Sequence, residues 1–142
     1  MTTRYCTQAD LEKRIRPSEL VQLANDTGGS TVDADILNEA IDDASSEIDA
    51  VAGARYSVPF SPIPDFIVKL ACDLTLVALA ERRGAAPKWV ETRAARVRSN
   101  LKRLAAGTLT LGLQPEPARN DERAPVQTGP APTFTADSLK GY

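Results

Sequence analysis

Apolar residues recur at helical spacing through the first 106 positions of the chain, and this periodicity predicts five helices. A short first helix begins after the N-cap residue Thr7 and ends near Arg14. The second begins at Pro17 and continues through Leu23. Residues 25–30 are polar or glycine, so we interpret them as a turn between helices.

The third predicted helix, from Asp33 to Val51, has one apolar face and one anionic face. Its large apolar side chains fall within one arc at about 100° per residue, and its carboxylates fall outside that arc. The carboxylates assigned to the exposed face are Asp35, Glu39, Asp42, Asp43 and Asp49. Gly53 ends this helix, and three prolines in residues 54–64 predict an extended connection.

The fourth predicted helix, from Asp65 to about Arg83, is apolar nearly all round. A helix without a polar face must be enclosed on most of its sides. The other helices are expected to cover only part of it, because the chain is short. We therefore expect the remaining surface of this helix to meet another subunit.

The fifth predicted helix begins with Pro87 at its first position and ends at about Ala106, before the capping residue Gly107. A stripe of apolar residues predicts its buried side, with Trp89 on the flank. Cationic side chains surround that stripe: they are Arg93, Arg96, Arg98, Lys102 and Arg103.

The pattern changes beyond Gly107. Residues 108–113 alternate polar and apolar side chains, which predicts a short strand. From Gln114 onward there are five of the ten prolines and few large apolar groups, so this segment cannot offset its own ordering entropy. The fold class is therefore all-α, with a compact bundle of about five helices over residues 1–107 and an extended Pro-rich C-terminal arm over residues 108–142.

Composition excludes several function classes. The 142 residues contain no histidine, which excludes Ser-His-Asp and Cys-His catalysis and every histidine-ligated metal. The two cysteines, Cys6 and Cys72, form no C-x-x-C motif and are expected to be reduced thiols in a cytoplasmic compartment. No apolar run approaches the roughly 20 residues that span a bilayer, so we expect no membrane partner.

The small net charge of −2 conceals a strong segregation of charge along the chain. Residues 1–65 hold five basic and twelve acidic side chains, whereas residues 66–106 hold nine basic and three acidic ones. Residues 107–142 hold three basic and four acidic side chains. The negative and positive regions lie mainly on the third and fifth predicted helices.

The remaining candidate chemistry is weak. The loop at Asn25–Ser30 resembles a calcium loop, but Ile36 stands where such a loop needs its bidentate glutamate. Carboxylate pairs such as Asp42 and Asp43 lack a predicted apolar pocket that would raise a pKa. No phosphate-binding glycine motif occurs. We therefore expect no enzyme activity, no metal and no cofactor.

The basic fifth helix supports two functional hypotheses beside that of a merely solvated face. Its cations can neutralise DNA phosphates, although Trp89 is the single aromatic ring available for stacking. Alternatively, it can face the anionic third helix of a neighbouring subunit. Two different complementary patches make a heterologous contact, which closes into a ring when the rotation fits.

Several helix patterns within residues 4–106 occur together in a known family. They are Tyr5-x-Thr7-x-x-Asp10-Leu11 with residues 17–23, the stronger stretch 36–49 with A-x-x-E-I-D, and Arg55-Tyr56-x-x-Pro59 leading into the fourth helix. In these features the chain resembles the head–tail adaptor (connector, neck) proteins of Mu-like tailed bacteriophages. None of the matching motifs is a catalytic signature.

This resemblance implies a structural protein of the virion neck that is assembled in the host cytoplasm. Family members form a homo-oligomeric ring, commonly twelve-fold, beneath the portal protein, and the next neck or tail protein attaches below. Packaged DNA passes through such a ring, so transient contact with it is expected. We expect the arm to dock on the portal through its large apolar residues: these are Leu109, Leu111, Leu113, Phe134, Leu139 and Tyr142.

The alternative from a different class is a small DNA-binding packaging or regulatory protein. In that hypothesis the cations on DNA phosphates are Arg93, Arg96, Lys102 and Arg103.

Overall fold

The computed structural model describes residues 3–84 and 87–112, and five α-helices account for most of them. The helices are α1 (Gln8–Glu12), α2 (Pro17–Leu23), α3 (Ala34–Ala52), α4 (Asp65–Arg83) and α5 (Lys88–Ala106). No strand occurs in these two ranges. The predicted all-α class and the five predicted helices are therefore confirmed.

Local sequence signals explain where the helices begin and end. Thr7 and Asp10 form a capping box at α1, in which each side chain accepts a hydrogen bond from the other residue's backbone amide. The Asp33 side chain caps α3 by accepting from the amides of Asp35 and Ile36. Pro87 lies at the N-cap of α5, one position before the predicted one.

Helix α4 occupies the centre of the bundle and is covered within a single chain. The other four helices all pack against it, and eleven of its residues are buried. The expectation that this helix leaves a large apolar surface for another subunit is therefore wrong. The two short helices α1 and α2 supply the missing cover, because their leucines Leu11, Leu20 and Leu23 point into the same core as α3 and α5.

The connection between α3 and α4 also contacts the C-terminal end of α5. The Arg55 guanidinium donates to the Ala106 carbonyl at 3.4 Å, at the C-terminus of α5, where the helix dipole favours a positive charge. Gly107 follows with a φ of +79°, and a Cβ there would lie 2.2 Å from the Arg55 guanidinium. Tyr56 packs against Phe60 in the core. The Arg55-Tyr56 motif thus fastens α5 to the preceding hairpin of helices.

The strand expected at residues 108–113 does not form in residues 108–112, which the structure describes. The amides of Thr108 and Leu109 instead both donate to the Arg103 carbonyl and close the end of α5. Leu109 and Leu111 are half-buried against the core, and the Leu111 amide donates to the Tyr56 hydroxyl at 3.4 Å. The alternating apolar residues Leu109 and Leu111 therefore mark the side of a turn that packs on the core. No strand pairs with this segment in the described residues.

The four other arm residues, Leu113, Phe134, Leu139 and Tyr142, lie outside the described residues. In the described part of the chain, no helix is long and apolar enough to cross a membrane.

Candidate functional site

Part of the acidic face of α3 is occupied by the beginning of the chain. Arg4 holds the Asp42 carboxylate through two hydrogen bonds of 2.6 and 3.0 Å, and this pairing keeps the pKa of Asp42 below its usual range. The Tyr5 hydroxyl donates to the Asp49 carboxylate. We call residues 4–6 the N-terminal strap. Two of the five carboxylates assigned to a subunit interface therefore have partners within their own chain.

Tyr5 anchors the strap in the core. Its side chain is 1% exposed, its amide donates to the buried Ser45 hydroxyl at 3.1 Å, and its own hydroxyl accepts from the Phe60 amide at 3.1 Å. Burial, reinforced by the hydrogen bond to Asp49, raises the pKa of Tyr5 to about 12. Asp49 therefore contributes mainly to holding the strap in place.

The remaining part of the same face is open. Its exposed carboxylates form no ion pair or side-chain hydrogen bond with any described residue. We call these three residues the open acidic patch: Asp35, Glu39 and Asp43. Glu39 and Asp43 share one line of the α3 surface with the half-buried Ile36, because the three lie at positions i, i+3 and i+7.

Arg93, the first cation of the predicted basic side of α5, is an internal anchor. Its guanidinium lies 2.6 Å from the carboxylate of Asp73, a residue of α4 that is 3% exposed. It also lies 5.4 Å from the centre of the Trp89 ring, a cation–π geometry. Asp73 compensates the charge of Arg93, so the ion pair between the two residues fastens α5 to α4.

The other four cations of α5 divide between two flanks. Arg96 and Arg103 lie on the same flank as Arg93, whereas Arg98 and Lys102 lie on the opposite one. Arg98 is 3.6 Å from the exposed Glu81, and the other three form no ion pair with the described residues. The five predicted interface cations therefore do not share one surface, and Arg96 with Arg103 form the open part of the flank beside Trp89.

A groove of about 530 Å³ lies between the α1–α2 turn and α5. The turn contributes Lys13, Arg14, Ile15 and Arg16, and α5 contributes Trp89 and Arg93. We call this the Trp89 groove. Trp89 also borders a second hollow of about 240 Å³, with Leu23 and Pro87.

Sequence reasoning missed the Trp89 groove because its two walls are far apart in the chain. The cluster Lys13-Arg14-x-Arg16 was visible as a local signal. Nothing in the linear pattern, however, showed that the turn would fold against the first turns of α5.

The loop at Asn25–Ser30 is a structural fastening. The Asn25 carboxamide oxygen accepts from the amides of Thr27 and Gly29, and its nitrogen donates to the Thr31 carbonyl. Asp26 pairs with Arg82 and Arg83 at the end of α4, and the hydrogen bond from Arg82 lowers the pKa of Asp26 to about 2. Among the described residues, no group of three or more acidic or thiol side chains is arranged to hold a metal ion.

Comparison with known proteins shows the family of the chain. The profile of the family described as "Bacteriophage Mu, Gp36" matches residues 5–128, which include all five helices of the described residues. The chain belongs to this family. A relative is the Mu-like prophage FluMu protein gp36 of Haemophilus influenzae, which is 29% identical over 112 residues, covering 77% of this chain and 76% of the relative. The chain is therefore a protein of the Mu-like phage gp36 family.

Proposed function

We propose that this protein is a structural component of the virion: a head–tail adaptor that forms a ring under the portal and joins the DNA-filled head to the tail. One observation carries the proposal. Two open patches of opposite charge lie on different helices, the acidic one on α3 and the basic one on the Trp89 flank of α5. Unlike patches that fit each other make a head-to-tail contact, which repeats around a closed ring.

The proposed subunit contact uses charged residues that have no ion pair or side-chain hydrogen bond with the described residues. Asp35, Glu39 and Asp43 supply the acidic side. Arg96 and Arg103 supply the basic side, whereas Asp42, Asp49 and Arg93 hold each subunit together. Charges of this kind fix register and orientation more than affinity. The N-terminal strap and the Asp73 contact thus hold the subunit together, and the open charges orient its neighbour.

The other partners follow from the same role. The portal would receive the C-terminal arm, whose first apolar residues, Leu109 and Leu111, already rest on the core of the domain. The next neck or tail protein would attach at the opposite end of the ring. In this proposal the protein acts in the virion neck after assembly in the host cytoplasm, without catalysis or cofactor, and touches packaged DNA only in passing.

The test reverses the open basic flank. Arg96→Glu with Arg103→Glu should block production of infectious particles and leave filled heads without tails, because the neighbour's carboxylates are then repelled. Electron microscopy and a plating assay in a phage whose own copy is deleted measure both effects. The matched control is Arg98→Glu with Lys102→Glu, which makes the same charge change on the other flank and should assemble.

The protein mixed with purified portal should form a complex whose mass exceeds that of portal alone. Absence of binding to portal or to any other head component would reject the adaptor role.

A small DNA-binding packaging or regulatory protein is the second candidate, and one observation favours it: Arg96 and Arg103 continue the cationic border of the Trp89 groove. Arg93 lines the groove, but Asp73 compensates its charge, and Lys102 lies on the other flank. If the Arg96→Glu, Arg103→Glu variant joins heads to tails normally but loses salt-dependent binding to duplex DNA, this second candidate is correct.

A further inference from the structure

We propose that the Trp89 groove is the receptor for the open acidic patch of a neighbouring copy of this chain. This inference rests on the proposed ring and names the surface that completes its basic side. The basic side of the subunit contact would then lie between α5 and the α1–α2 turn, rather than on α5 alone.

Charge is the first argument. Lys13 and Arg16 border the groove and have no ion pair with any described residue, and Arg14 donates only to the Asp10 carbonyl at 3.1 Å. Two carboxylates, Glu12 and Glu19, lie on the same border, and Glu12 already accepts from Gln8. The three cations outweigh them. Arg96, one turn beyond Arg93, extends the positive surface along α5.

The apolar content of the two surfaces is the second argument. The Trp89 indole and Ile15 are half-buried and leave part of their apolar surface on the groove. On α3, the half-buried Ile36 lies beside Glu39 and Asp43 on the same line of the helix. An interface residue such as tryptophan gains most when an apolar partner covers it and opposite charges surround it. The two surfaces therefore match in both charge and apolar centre.

The position of the two surfaces is the third argument. The groove is lined by the α1–α2 turn and α5, and no residue of α3 contributes to it. Each copy thus presents a donor surface and a receptor surface that do not overlap. A contact between them is heterologous, so every subunit can engage two neighbours.

The experiment uses two full-length variants that each remove one side of the contact. The groove variant is Lys13→Glu with Arg16→Glu, and the patch variant is Glu39→Lys with Asp43→Lys; all four side chains are exposed. Self-association of the unmodified protein at low salt is measured by sedimentation and by the emission of Trp89, the one tryptophan in the sequence. Each variant alone should associate about a hundredfold more weakly, since like charges then face each other.

Mixing the two variants gives the sharpest result. The native patch of the groove variant can bind the native groove of the patch variant, and the introduced lysines of one variant face the introduced glutamates of the other. Opposite charges therefore meet at both contacts, so we expect the mixture to recover the association that each variant alone has lost, accompanied by a shift in the emission of Trp89. The control, Lys69→Glu with Lys102→Glu, carries the same charge change as the groove variant at exposed positions elsewhere and should associate normally.

Two outcomes overturn the inference. The first is no association of the unmodified protein up to about 1 mM at low salt. The second is normal association of either variant, including a groove variant that loses only duplex DNA binding. The proposed function is judged separately by binding to portal and by head–tail joining. If joining occurs while groove variants associate normally, the adaptor role stands and the groove inference fails. If the unmodified protein binds no head component, the adaptor role fails.

Discussion

The anionic face of α3 and the cationic face of α5 look equivalent in the sequence but have different roles in the fold. On α3 the internal contacts involve two carboxylates, Asp42 and Asp49, which the N-terminal strap binds. On α5 a single cation, Arg93, turns inward to a buried carboxylate while the others stay at the surface. The comparison shows that a charged helical face combines residues that hold the subunit together with residues that remain free for a partner. Mutations can separate the two groups.

The largest effect is expected at Arg93. Arg93→Met leaves Asp73, 3% exposed, as an uncompensated buried charge and should lower the free energy of unfolding by about 3–5 kcal/mol. Urea denaturation measures this. Arg96→Met, on the same flank but exposed, should stay within about 0.5 kcal/mol of the unmodified protein. Equal effects of the two substitutions would contradict the inward role of Arg93.

The second effect concerns the strap. Tyr5→Phe removes the hydroxyl that accepts from the buried Phe60 amide and donates to Asp49, which should cost about 1–3 kcal/mol of stability. Denaturation at neutral pH measures the loss. A cost comparable to that of Arg4→Met would show that the hydroxyl does not anchor the strap.

The same phenol predicts a pH dependence. The folded state raises the pKa of Tyr5 from 10.0 to about 12, so its neutral form is favoured by folding. The corresponding stability is complete below pH 10 and is lost as the pH rises through about 12. Thermal unfolding across that range should show a steeper alkaline loss for the unmodified protein than for Tyr5→Phe. Tyr56→Phe serves as a control that removes a different buried hydroxyl and should retain the steep loss.

A smaller effect is expected at the outer end of the strap. The Arg4–Asp42 pair is 46% and 38% exposed at its two side chains, so water and salt screen it. A double-mutant cycle with Arg4→Met and Asp42→Asn should give a small coupling, which declines with added salt. A larger, salt-independent coupling would show that the strap depends on this pair rather than on Tyr5.

The smallest effect on folding is expected at the open charges. Glu39→Gln and Arg103→Gln should each change stability by no more than about 0.5 kcal/mol, because neither side chain has an ion-pair partner among the described residues. Thermal unfolding checks this. A marked destabilisation by either substitution would mean that the charge serves the subunit itself and would remove it from the proposed contact.

Prediction from sequence succeeded where the signal is local. Thr7, Asp33 and Gly107 mark helix ends through hydrogen bonds and backbone conformations within a few residues, so the five helices were placed to within one or two positions at most ends. The short strand at residues 108–113 was predicted wrongly because alternation shows only which side of a segment is apolar. A strand also requires a paired neighbour, and the described residues 108–112 have none.

Prediction of the candidate site succeeded only in part for the same reason. The exposed positions of Asp35, Glu39 and Asp43 follow from the periodicity of α3, which requires no knowledge of other elements. Asp42 and Asp49, by contrast, have partners within the chain only because residues 4–6 lie against α3. Likewise, the burial of α4 depends on α1 and α2, which both pack against it. These two helices are so short that their hydrophobic patterns alone did not show where they would pack.

The sequence by itself determined the all-α class, the ends of the helices and the segregation of charge, because each depends on neighbours within one or two helical turns. The tertiary structure decided which charges are internal and which are open, and it created the Trp89 groove. These properties depend on distances between segments far apart in the chain. Packing brings the Arg93 guanidinium to 2.6 Å from the buried carboxylate of Asp73, so this arginine serves the subunit itself. An arginine to which packing brings no such carboxylate stays available to a partner.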